Sequence, residues 1–287
     1  MAITLFTNSS AMSASNALQK ANTTLSSAME RLGTGKRINS ASDDAAGLQV
    51  ATRLQGQTNG MAVAQRNISD ASTMLQTGEG SMDEVSNIMY RMKDLATQGA
   101  SDTNTAESRK AIDAEMTSLN TELGSIMSNT SYAGDNLFTA KADGTKAKMT
   151  QAMTFQTGSE QGETTSVDVS SQLSAVQTSI TGLASASVSG DDGTKNANAL
   201  IDTLNTALDN VSSLRSAFGA SINGLSHASA NLTNMKDNTD QALGNIQDAD
   251  FASEASTMTR SQMLAQTSTS MLKQSNSMSS LVMSILG

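Results

Sequence analysis

Residues 9–32 read SSAMSASNALQKANTTLSSAMERL. Within this stretch Ala11, Leu18, Leu25 and Leu32 recur every seven residues, and Ala14, Ala21 and Ala28 fill a second row. Sustained seven-residue apolar spacing marks helices that wind around other helices. The far end of the chain repeats the pattern with Leu264, Met271, Met278 and Ile285. Alanine and methionine supply most of both ladders. Such stripes are too thin to hold a lone helix, so both ends are expected to fold by packing against many neighbours.

Composition supports slender bundles. Aromatic residues make up 2% of the 287, with no Trp and no Pro. A thick globular core uses more rings, and an interior Pro would cost a helix roughly 3 kcal/mol. No Cys is present, which removes disulfides, thiolate metal sites and Cys nucleophiles. No run approaches the ~18 apolar residues of a membrane span. Met1–Leu5 lacks the basic region and long apolar core of a cleavable secretory signal. The net charge is −9. Residues 1–42 carry +3 and residues 258–287 carry +2, leaving −14 for the middle. Ends that pack and a middle that faces water fit this distribution; nucleic-acid binding, which needs clustered Lys and Arg, does not.

From residue 33 the segment Gly33-Thr34-Gly35-Lys36-Arg37-Ile38-Asn39 breaks the first helix, and Ser40 to Asp43 fits a capping box for the next. That helix keeps one register: Leu54, Met61, Ile68, Leu75, Met82 and Met89 form one row, with Val50, Ala64, Ala71, Val85 and Met92 beside it. Asp44 to Gln98 would make ~80 Å of rod. After a turn at Gly99–Asn104, with Asn104 and Glu107 as a cap pair, Ile112, Met116, Leu119, Leu123 and Ile126 predict a helix that folds back and ends near Asn129. Thr154–Thr157 and Ser166–Val169 flank a glycine-bounded segment, Gly158–Gly162, as in a β-hairpin. Leu173, Val176, Ile180 and Leu183 predict a short helix, and Gly190–Gly193 a loop. From Asn196 the rod period resumes and runs to Ile246. The fold class is therefore mainly α, with antiparallel helical rods, coiled-coil terminal helices from both ends and a small β-hairpin region near 150–170. The expected domains are 1–43 with 249–287, and 44–248, without a separate outer domain.

Chemistry-bearing motifs are few. His227, the only histidine, lies in a helical pattern without the second glycine of a nucleophile elbow. Gly33-Thr34-Gly35-Lys36 has the wrong spacing for a phosphate loop, and Arg37 stands at its Ser/Thr position. Asp43-Asp44 and Asp191-Asp192 suit a cap and an exposed loop, since calcium-loop spacing is missing. No enzyme, cofactor or metal site is expected.

The stretch Leu25–Arg53, LSSAMERLGTGKRINSASDDAAGLQVATR, closely resembles the N-terminal signature of bacterial flagellin. Gln65-Arg66-Asn67 through Glu79-Gly80 to Gln98 looks like its continuation. Ile246–Glu254, IQDADFASE, resembles the family's second signature, followed by a terminal helix ending Val282-Met-Ser-Ile285-Leu286-Gly287. The resemblance covers about 1–138 and 196–287, and includes Gly162-Glu163-Thr164 in the hairpin. Gly33-Thr34 departs from a more usual serine pair. The resemblance implies a self-assembling filament subunit serving swimming or swarming. Its termini would be disordered in the monomer and fold on polymerisation, around a core of Leu18, Leu25, Leu32, Leu264, Met271, Met278 and Ile285. Only about sixty residues separate the helical halves, which implies a minimal form.

By the same resemblance, Arg91, Leu95, Gln98 and Glu115 align with the surface recognised by the vertebrate Toll-like receptor for flagellin. The implied partners are other copies of the chain, an export chaperone on the C-terminal helix, the export apparatus, the filament cap and hook–filament junction proteins, with no nucleic acid and no membrane. The implied location is the extracellular filament. A hook–filament junction protein shares the terminal helices but would show weaker signatures and a larger middle. A coiled-coil signalling module would need a membrane segment or partner domain. A flagellin carrying a protease insert would need His-Glu-x-x-His.

Overall fold

The computed structural model describes residues 8–141, 144–189 and 192–286, with side chains described up to residue 278. The chain divides into two compact units, one of residues up to Gln57 together with Asp237 onward, the other Thr58–Lys236.

The first unit contains α1 (Ser9–Thr34), the start of α2 (Ala45–Gly99), the end of α5 (Gly193–Gln247) and α6 (Phe251–Leu286). Asn8 caps α1: its side-chain oxygen accepts from the Ser10 and Ala11 amides, both at 3.2 Å, meeting donors a helix start leaves free. Gly35 ends the helix at φ +71° and returns its N–H to the Arg31 carbonyl at 2.8 Å, a left-handed cap that glycine adopts without strain.

The next cap differs from expectation. Ser40 and Asp43 build the preceding turn, with the Asp43 carboxylate accepting from the Asn39 and Ser40 amides at 3.1 and 2.9 Å. Asp44 is the residue that caps α2, accepting from the Gly47 amide at 2.8 Å. A carboxylate placed three residues before an amide is a preferred cap geometry, and Asp44 satisfies it, four positions after the Ser40 expected to cap the helix.

Helices α1 and α6 pair antiparallel. Asn8 Nδ2 donates to Ser275 Oγ at 2.8 Å at one end, and Arg31 meets Glu254 at 3.1 Å at the other. The turns beyond are tied by backbone: the Arg37 amide donates to the Gln247 carbonyl at 2.7 Å and the Ala249 amide to the Gly35 carbonyl at 3.0 Å. The buried row of α1 is Ala14, Ala21 and Ala28, while that of α6 is Ser261 and Ser268. Leu18, Leu25 and Leu32 are half-buried; Leu264, Met271 and Met278 are exposed. The Leu–Met ladder of α6 is thus not the row that meets α1. Small side chains let two backbones approach closely, so the Ala and Ser rows take the inside and the long side chains are turned out. The Ile285 side chain lies outside the described residues.

The second unit is built from the rest of α2 and α5, with α3 (Ala106–Asn129) and α4 (Ser170–Ala184). On α2 the predicted rows hold: Met61, Ile68, Leu75, Met82, Met89 and Met92 are buried. Val50, in the first unit, is exposed. Across from them lie Leu204, Leu208, Val211, Leu214, Phe218 and Leu225 of α5, and Ile112, Met116, Leu123 and Met127 of α3. Thr105, rather than Asn104, caps α3 by accepting from the Ser108 amide; Asn104 instead donates to the Gln98 carbonyl. Two small antiparallel ribbons lie between α3 and α4: β1 (Ser131–Tyr132) with β2 (Asp135–Asn136), and β3 (Met153–Gln156) with β4 (Thr164–Val167). The second is the predicted hairpin, moved by one or two residues. The first turns through Ala133 and Gly134, both at positive φ, as a two-residue hairpin requires. Between the ribbons in sequence, Phe138 and Met149 are fully buried and join the helical core, Met149 beside Gly78 of α2.

Candidate assembly and recognition surfaces

Among the described residues, the α1–α6 pair leaves long apolar side chains exposed. Met263, Leu264, Met271 and Met278 on α6, and Met12 and Met29 on α1, are all at least half exposed. Phe251, which opens α6, is exposed as well. Scattered apolar residues on a surface need no explanation, but a seven-residue ladder on a coiled-coil helix has the spacing of a helix–helix seam. Met263 was not singled out from sequence. Its position beside Leu264 marked it only once the buried face of α6 was known.

The four residues aligned with the receptor-binding surface are not equivalent. Arg91 on α2 and Glu115 on α3 form an exposed ion pair at 2.7 Å, with Arg91 Nε adding a bond at 3.1 Å. The Gln98 side chain is exposed near the end of α2. Leu95 is 3% exposed and belongs to the core beneath them. It supports the patch rather than presenting a side chain to a partner.

A second charge cluster was not anticipated. Arg215 on α5 donates through Nε and Nη2 to Glu79, at 3.2 and 2.8 Å, and through Nη1 to Asp83 at 2.9 Å. The Glu79 hydrogen bond, followed by the Asp83 charge, raises the Arg215 pKa above its ordinary value. Glu79 and Asp83 are four apart and share a helix face. Their partner is 136 positions from Glu79, so spacing alone could not find it. The clamp fixes the register of α5 on α2 within the second unit.

Two shallow grooves, of about 300 and 410 Å³, run between α2 and the β3–β4 ribbon and share Asn67 and Gln156. Asn67 donates to the Gln156 carbonyl at 3.3 Å. A Cβ on Gly60 would come within 2.8 Å of Ser159 Cβ, so the ribbon's tip rests directly on the α2 backbone. His227 is exposed on α5. Among the described residues no group of three or more His, Cys, Asp and Glu could hold a metal ion, and no helix is long and apolar enough to cross a membrane. The Gly190–Asp191 part of the predicted loop lies outside the described residues.

The surfaces thus lie on helices of both units, and comparison with known proteins gives them a context. Residues 5–143 match the family model for the bacterial flagellin N-terminal helical region, and residues 201–286 the model for its C-terminal helical region. Polar flagellin B/D of Vibrio parahaemolyticus is 32% identical over 378 aligned positions, covering all of both chains. Flagellin B of Vibrio anguillarum is 33% identical over 379, again with full coverage. Among solved structures, a protein described as flagellar hook-associated from Vibrio parahaemolyticus is 18% identical, with a TM-score of 0.56 over 72% of this chain and all of its own; that likeness concerns the fold alone. With both terminal regions matched in order and relatives similar from end to end, this chain belongs to the bacterial flagellin family.

Proposed function

We propose that this structural subunit of the flagellar filament polymerises through the faces of α1 and α6 that its own fold leaves open. Leu18, Leu25, Leu32, Leu264, Met271, Met278 and Ile285 would form the core between copies. The observation that carries this reading is the outward ladder on α6: apolar residues at a coiled-coil spacing, exposed in the single chain. Residues 1–43 and 249–287 would form the inner layer of the filament, and 44–248 the rod around it.

The same packing supports termini that are disordered in the monomer and fold on assembly. Burying a methyl group contributes about 0.8 kcal/mol. Ordering a residue costs about 1–2 kcal/mol in backbone entropy. Three buried alanines and two serines cannot offset that cost along two helices, whereas added contacts from neighbouring copies would. An unfolded end suits passage through a narrow export channel, with a chaperone covering the α6 ladder beforehand. The cap and junction proteins would meet the same terminal helices. The exposed Arg91–Glu115 pair with Gln98 would be the part of the chain read by the Toll-like receptor. No catalytic role is assigned.

A compact middle also fits the relatives. The alignment with polar flagellin B/D runs over 378 positions, 91 more than the 287 residues of this chain, and residues 144–200 are matched by neither family model. We place the missing length there, as the absent outer domain.

The test is seeded polymerisation followed by electron microscopy. Wild-type protein should extend filament seeds. Leu264→Lys and Met271→Lys should fail to extend them while unfolding of the second unit stays within about 0.5 kcal/mol of wild type, because both side chains are solvent-facing in the single chain. Normal filaments from both variants would overturn the reading.

A further inference from the structure

The methionines are sorted between the two units. In the second, Met61, Met74, Met82, Met89, Met92, Met116, Met127 and Met149 are buried core residues. In the first, no methionine with a described side chain is buried. Met258 is half-exposed, and Met263, Met271 and Met278 are 57%, 63% and 57% exposed. Met12 and Met29 on α1 are exposed too. One chain thus holds thioethers in two environments: apart from Met235 of α5, 43% exposed, the exposed methionines with described side chains lie on the helix pair assigned to assembly.

We propose that Met263, Met271 and Met278 form a reversible oxidation site for peroxides, through which the assembly surface senses oxidant before polymerisation. The proposal rests on the assembly reading above. The thioether sulfur attacks one oxygen of hydrogen peroxide and the O–O bond breaks. Sulfur is oxidised by two electrons to the sulfoxide, and the peroxide is reduced to water. A sulfoxide reductase fed by a dithiol reverses the step, with the dithiol becoming a disulfide and the oxygen leaving as water. The change replaces an adaptable apolar side chain with a polar one. Enclosed between copies, the S=O group would lie in a seam whose neighbouring ladder positions are Leu and Met, which supply no donor. In the finished filament the same residues would be covered, so sensitivity would belong to the monomer.

The experiment treats purified full-length protein with graded hydrogen peroxide, quenches it with catalase, and divides the sample. Peptide mass spectrometry reads sulfoxide at each methionine, and seeded elongation reads assembly. The expected result is oxidation of Met263, Met271 and Met278 well before Met82, Met89 and Met149, with elongation slowed about tenfold or more when they are modified. Methionine sulfoxide reductase with dithiothreitol should restore elongation without any mutation. In the combined variant Met263→Leu, Met271→Leu, Met278→Leu, which lacks these thioethers, the ratio of treated to untreated elongation should be about one whatever its own basal rate, against a ratio of about a tenth or less for wild type. Uniform oxidation across the chain, normal elongation by the oxidised protein, or failure of the reductase to restore it would each overturn the proposal. Untreated wild-type protein that does not extend seeds would instead overturn the assembly reading, and this proposal with it.

Discussion

Gly35 and Asp43 show how much of the turn between α1 and α2 depends on single residues. Gly35 sits at φ +71° with open space where a Cβ would point, so its requirement is conformational. Gly35→Ala should cost about 1–2 kcal/mol, seen as a lower disassembly temperature of filaments. Asp43 holds the turn electrostatically: the Ser40 amide, then the Asn39 amide and the Ser40 hydroxyl, lower its pKa below 3.8. A depressed carboxyl pKa contributes stability that is present above 3.8 and lost as pH falls through the folded value. NMR titration of the Asp43 side chain should therefore give a midpoint below 3.8, and Asp43→Asn should remove this part of the acid dependence. A midpoint at the ordinary value would show that the turn does not hold the carboxylate.

At the scale of elements, the second unit depends on a few large side chains within long rows of small ones. Phe138 and Phe218 are its two fully buried rings. Phe218 faces Gly78, where a Cβ would stand 3.4 Å from the ring, so the ring packs against helix backbone. Phe218→Ala should destabilise the unit by about 3–5 kcal/mol in chemical denaturation; a loss under about 1 kcal/mol would mean that the site collapses around the gap. The rows Met61 to Met89 and Leu204 to Phe218 were legible because period and burial agree over many turns. The β1–β2 ribbon was not, because two-residue strands carry no period and its turn uses Ala133-Gly134 in place of a stronger Asn-Gly signal. The orientation of α6 was hidden for another reason. A heptad row looks the same whether it faces its own chain or another, and only the competing Ser261–Ser268 row, polar by composition, reveals which side is inside. Leu95 was carried into the candidate surface by alignment alone, although its place beside Met92 and Ala96 is a core position.

For the whole molecule, the two units differ in what holds them. The second buries one continuous apolar cluster across four helices and the ribbons. Among the described residues the first is joined by rows of Ala and Ser, the buried Ile38, the Asn8–Ser275, Arg31–Glu254 and Arg37–Ile246 contacts, and a few backbone bonds between turns. Amide exchange in the monomer should therefore be fast through α1 and α6 and slow through the buried stretches of α2 and α5, and α1 and α6 should become protected in filaments. Equal protection of both units in the monomer would contradict the weak packing of the terminal pair.

The Arg31–Glu254 and Asn8–Ser275 contacts join residues 223 and 267 positions apart. On the ribosome, α1 is made early and its counterpart late, so the pair cannot close until translation has passed α6. In any conduit that admits the chain as a single thread, whichever terminus leads must wait at the exit for the other. If assembly runs through this pair as proposed, closure would act as a proof of completeness: a broken chain would deliver only half of the clasp to a growing end.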